Sequence, residues 1–149
     1  MRAVLQRVSE ARVTVEGEVV GQISAGLVVL LAVASEDTHK DVAWMKRKIL
    51  NLRIFDDEQG RLERSLGQVG GSLLVVSQFT LYGNCRKGNR PSYTRSAPSG
   101  QAQTLYQQLV DELQADGVIV ETGRFQAMMQ VSLINDGPVT LILDSKLRV

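Results

Sequence analysis

Histidine and cysteine are almost missing from this chain of 149 residues, where His39 and Cys85 are the sole examples. One cysteine excludes an internal disulfide and any multi-cysteine metal cluster. One histidine means that a Ser-His couple or a side-chain zinc site would have to recruit that single imidazole. It lies in "SEDTHKDVAWMKRK", where the pattern predicts the first turn of a helix, far in sequence from every other polar cluster. A solvated helix-start residue is the expectation, and no metal site is expected. Long hydrophobic runs are also lacking: nothing approaches the roughly 20 apolar residues that span a bilayer. The amino-terminal "MRAVLQRVSEARV" has neither a continuous apolar core nor a small-residue cleavage site. A soluble, cytoplasmic protein with no membrane partner is therefore expected. Finally, acid is absent from Ser65 to Val110, while the same window holds Arg86, Lys87, Arg90 and Arg95. A net charge of only +1 thus hides a cationic segment. It reads either as a solvated loop or as a surface able to neutralise phosphates, with Tyr93 as a stacking face.

What is present predicts one domain spanning residues 1–149, since the length is close to the usual single-domain size. "MRAVLQRVSEARVTV" alternates as a strand, turns at Gly17 and returns through "VVGQI". "GLVVLLAVA" is continuous and β-branched, as a strand buried on both faces should be. The stretch after it carries Ser, Thr and acidic caps, basic residues toward its end, and Val42, Met45 and Ile49 at helical spacing. "RIFDDEQGRLER" predicts a short strand and a Gly60 turn, and "GGSLLVVSQFTLYG" a second buried strand. A second helix follows, with Leu105, Leu109, Val110 and Leu113 on one face and Gly117 ending it. "VIVETGRF", "QAMMQVSLIN" and "VTLILDS" predict closing strands. The fold class is α/β: a mainly antiparallel sheet or partly closed β-barrel with two flanking helices.

Two stretches carry candidate chemistry. Ser77, Gln78 and Thr80 fall where a core strand leaves the sheet, a common place to build a site on a rigid element; satisfying backbone groups there is the competing role. "NDGPVT" looks like an Asp-Gly hairpin turn between apolar runs, yet Pro138 stands where the return strand would need an N–H. It is either an ordinary turn before a late-starting edge strand or a presentation of Gly137-Pro138 to something else. "GQVGGS" precedes a strand rather than opening a helix, so no nucleotide cofactor is expected. The crowded Asp56, Asp57 and Glu58 read as a solvated turn.

The segments "MRAVLQRV", "SQFTLYG" with "CRKGNRPSY", and "NDGPVT" occur in the order and spacing of the D-aminoacyl-tRNA deacylases, also called D-tyrosyl-tRNA deacylases, and the resemblance covers nearly the whole chain. It implies an editing hydrolase that cleaves the ester of D-aminoacyl-tRNA, and of glycine mischarged on tRNA, to free tRNA and amino acid. It also implies a homodimer with active sites at the interface and aminoacyl-tRNA as partner. The family's Ser-Gln-x-Thr motif falls on Ser77, Gln78, Phe79 and Thr80, and its Gly-Pro motif on Gly137 and Pro138. The resemblance makes that bond cis and sends it into the partner's site, where backbone carbonyls reject L side chains. Backbone N–H groups near Phe79 and Thr80 become the oxyanion hole, with the 2'-hydroxyl of the terminal adenosine assisting a water. The competing assignment makes Thr80 a covalent nucleophile.

By the same resemblance Arg7 braces the Gly-Pro loop, and Arg86, Lys87 and Arg90 contact tRNA phosphates. Phe125 and Met128 would line an adenine pocket, although Gln126 stands where the family often has glycine. Packing on a strand is the competing role for Met128 and Met129. From a different class, the alternative is a noncatalytic RNA-binding dimer.

Overall fold

The computed structural model describes residues 1–149. Strand β1 (Arg2–Val15) is the spine, and its alternation of half-buried and buried positions follows the period of two in its sequence. One edge of β1 is shared between β3 (Gly26–Ala32), which pairs with residues 2–8, and β2 (Glu18–Ile23), which pairs with residues 11–15. The other edge carries β8 (Gln130–Asp144) along nearly its whole length. Beyond β3 the sheet continues with β6 (Ser72–Ser77) and β7 (Val120–Thr122), both parallel to their neighbours. A separate hairpin of β4 (Phe55–Asp56) and β5 (Leu62–Arg64) turns at Gly60.

The sheet is mixed and nearly closes into a barrel, because β2 folds over against β7. Gly21 permits that approach: a Cβ there would sit 2.2 Å from the Thr122 carbonyl oxygen. Helices α1 (His39–Asn51) and α3 (Ser99–Ala115) flank the outer face, and a single turn, α2 (Leu66–Val69), precedes β6. Thr38 caps α1 in a box with Asp41.

Side-chain parity divides the interior. Leu27, Val29 and Leu31 of β3 and Leu73 and Val75 of β6 join the helix residues Val42, Met45, Ile49, Leu105, Leu109 and Leu113 in the larger core. Val28, Leu74 and Val76, one residue out of step, face the barrel interior with Val13, Val15 and Ile23. Each such aliphatic, fully removed from water, contributes about 1.5–3 kcal/mol.

The hairpin expected at "NDGPVT" does not form. Asn135 pairs with Val8 and Thr140 with Gln6, so both flanks run antiparallel to the same strand and the chain never reverses. Asp136 to Val139 are a bulge that faces Arg7 alone. A long partner strand overrides the local turn signal, and Pro138 needs no ladder N–H because it stands outside the ladder. The other local revision is at "QAMM": β8 starts only at Gln130, and the chain turns over Arg124 to Ala127, where the Ala127 N–H donates to the Arg124 carbonyl at 3.1 Å.

Candidate active site

Parity also aims Ser77. Leu73 and Val75 face the helices, so Ser77, the last residue of β6, points the same way, toward α3. Directly after it, Phe79–Tyr82 wind into a 3-10 turn whose first bond runs from the Leu81 N–H to the Gln78 carbonyl. The N–H groups of Phe79 and Thr80 precede that donor and find no acceptor within the turn. The Gln78 amide donates to the Thr80 hydroxyl oxygen in a short contact. Ser96 Oγ donates to the Phe79 carbonyl at 3.2 Å, and the Phe79 ring meets Tyr93 edge-on at 5.2 Å.

A pocket of about 340 Å³ opens beside this turn, lined by Ser77, Phe79, Phe125 and Gln126 together with residues from β3 and the start of α3. Tyr106 forms part of its wall and donates to the Val75 carbonyl at 2.8 Å; burial pushes its phenol up, so it stays a neutral donor. Phe125 leans on Tyr106 at 5.9 Å. Of the residues singled out in the sequence, Ser77, Phe79 and Phe125 therefore share one pocket, with Gln78 and Thr80 at its edge in sequence. Met128 does not join them: it is 91% exposed and neither lines the pocket nor packs on a strand. Met129 does pack, against the smaller core, and its sulfur accepts the Arg124 N–H.

Gly137-Pro138 is a cis peptide at the exposed apex of the bulge, and neither residue lines this chain's own pocket. Arg7 anchors the bulge from below. Buried to 6% exposure, it donates Nε to the Asp136 carbonyl at 3.2 Å and Nη1 to the Ile54 carbonyl at 3.0 Å. The Asn135 amide bridges the Arg7 and Val139 carbonyls at 2.9 and 3.0 Å, closing the neck of the excursion. Asn135 and Thr140, whose hydroxyl donates to the Asn135 side-chain oxygen, join Arg7 at this neck and were not singled out in the sequence.

Arg86, Lys87 and Arg90 are exposed and make no ion pair, whereas Arg95 pairs with Glu36 at 3.0 Å and lies over the Tyr82 ring. His39 is the exposed first residue of α1, and Cys85 is a free exposed thiol. No helix is long and apolar enough to cross a membrane.

Fold and site together define a class: a nearly closed α/β barrel whose pocket, at the exit of a core strand, offers hydroxyls, an amide and free backbone N–H groups instead of a charged catalytic set. Residues 4–144 match the family described as D-Tyr-tRNA(Tyr) deacylase, and the chain belongs to that family. It is 58% identical over 146 residues to the D-aminoacyl-tRNA deacylase of Desulfitobacterium hafniense (strain DSM 10664 / DCB-2), covering 98% of each chain. To the D-aminoacyl-tRNA deacylase of Thermus aquaticus it is 59% identical over 145 residues, covering 97% of this chain and 95% of that one. Among solved structures, the c-Myc DNA Unwinding Element Binding Protein superposes with a TM-score of 0.91 at 42% identity, over 97% of this chain and 98% of that one.

Proposed function

We infer that this protein is an editing hydrolase that removes D-amino acids, and glycine, from tRNA. The observation that carries the reading is the convergence of the matched motif on one pocket: Ser77 and Phe79 meet Phe125 there, beside two backbone N–H groups with no partner in their turn. An aminoacyl ester is already activated, so positioning and oxyanion stabilisation are the main demands on the protein. Water attacks the ester carbonyl carbon, and the Phe79 and Thr80 N–H groups hold the oxyanion. The bond to the ribose 3' oxygen then breaks, and a proton passes to that oxygen. The vicinal 2'-hydroxyl positions the water, and Thr80 positions the ester. No imidazole hydrogen-bonds to Thr80 to activate it as a nucleophile; its hydroxyl is engaged by Gln78.

Chirality is filtered by exclusion. The Gly137-Pro138 apex of a second copy enters the site, its backbone oxygens filling the space an L side chain would need. A D side chain points away, and glycine has nothing to clash. Exposure of the apex, its remoteness from this chain's own pocket, and the exposed Ile134 and Ile142 on the same strand support a homodimer joined along β8. Phe125 and its pocket receive the terminal adenosine, while Arg86, Lys87 and Arg90 lie along the acceptor-stem phosphates. The protein would act in the cytoplasm, where aminoacyl-tRNA is made.

Incubation with D-tyrosyl-tRNA and L-tyrosyl-tRNA tests the reading: rapid ester loss from the D form alone is expected. Equal persistence of both would leave an RNA-binding dimer as the function. Hydrolysis of a substrate lacking the terminal 2'-hydroxyl would remove the RNA-assisted step.

A further inference from the structure

Gln126 is a non-glycine residue held at φ +63° on the wall of the pocket. For a side-chain-bearing residue that left-handed conformation is disfavoured, and such positions cluster where a site needs them. Its amide makes no hydrogen bond within the protein, so two donors and one acceptor remain free on a surface that is otherwise largely apolar. Of the other polar side chains lining the pocket, Ser96 donates to the Phe79 carbonyl and Tyr106 to the Val75 carbonyl, which leaves the short hydroxyls of Ser77 and Ser99 and makes Gln126 the one amide there. Aromatic faces from Phe79 and Phe125 with one bidentate amide suit a flat heterocycle whose edge presents a donor beside an acceptor.

We propose that Gln126 is a specificity-determining residue that reads the amino edge of the 3'-terminal adenine, accepting from the 6-amino group while donating to the neighbouring ring nitrogen. The proposal rests on the reading of this pocket as the terminal-nucleoside site. It assigns the strained backbone a purpose: a relaxed glycine would keep the turn but supply no amide.

Stability and affinity then move in opposite directions. Gln126→Gly holds or raises Tm, since relief of the left-handed backbone offsets the freer unfolded chain, while KM for D-tyrosyl-tRNA rises about tenfold with kcat unchanged. A substrate ending in purine riboside, which lacks the 6-amino group, costs the unaltered enzyme a similar factor and costs Gln126→Gly nothing further. Equal losses in both proteins, or a fall in Tm accompanying the rise in KM, would overturn the proposal. If the unaltered protein hydrolyses no D-aminoacyl-tRNA, the deacylase reading fails, and calorimetric binding of adenosine and purine riboside decides Gln126 independently. Weaker adenosine binding in the variant, with purine riboside bound equally by both proteins, supports the assignment; identical adenosine affinities refute it.

Discussion

At the scale of single residues, Thr80 separates two chemistries. Its hydroxyl oxygen already accepts a hydrogen bond from Gln78, and no imidazole hydrogen-bonds to it at its exposed position. A residue that only positions the ester contributes about one hydrogen bond, so Thr80→Ala should slow single-turnover deacylation of D-tyrosyl-tRNA about tenfold. Loss by several orders of magnitude with tRNA binding intact would instead mark a covalent nucleophile. The motif around Thr80 was legible as a polar exit from a buried strand. The 3-10 turn was not, because "FTLY" reads equally well as continued strand, and only the tertiary position of Ser96 and Tyr93 shows where the chain winds.

Among elements, β8 departs most from what local sequence announces. Asp-Gly between apolar runs has the same signature in a hairpin and in a bulge; the difference lies in β1, more than 120 residues away, which is long enough to pair with both flanks. Continuous apolar runs located β3 and β6, which are buried on both faces, and helical spacing located α1 and α3, each of which buries one face. It had no access to a bulge set by a distant partner, nor to the left-handed turn at Gln126. Gly137 makes the bulge testable. At φ +119°, a Cβ would lie 2.8 Å from Arg7 Nη2 and 3.1 Å from the Val139 nitrogen. Gly137→Ala should therefore destabilise the protein by about 1–3 kcal/mol in urea denaturation, and an unchanged midpoint would show that Arg7 and the bulge relax freely.

Over the whole molecule, charges tie the first residue to the last turn. The Met1 ammonium meets Asp37 at 2.5 Å and Ser145 at 2.9 Å, and Ser145 in turn donates to Asp41 at 2.6 Å. Burial alone would raise the Asp41 carboxyl, but hydrogen bonds from Ser145, the Thr38 N–H and Lys146 outweigh it and hold the pKa at about 2. A depressed carboxylate stabilises the fold above its unfolded value near 4 and loses that contribution as pH falls through 2. Stability should therefore drop by about 2 kcal/mol across that interval, and Asp41→Asn should flatten this part of the profile in denaturant titrations. On the outer surface, Arg86 and Arg90 have no acidic partner to displace. Changing both to Gln should reduce the log–log salt slope of tRNA binding by about 1.5 while sparing a minimal aminoacyl-adenosine substrate; an unchanged slope would place the RNA elsewhere. Because β1 runs unbroken past Asp136 to Val139, it acts as a ruler on which both flanks are counted. A turn at a hairpin tip tolerates an added residue. Here one insertion or deletion would either push the apex out of place or slide a flank by one step, turning every side chain of that flank to the opposite face. Between Asn135 and Thr140 the chain can vary in composition far more readily than in length.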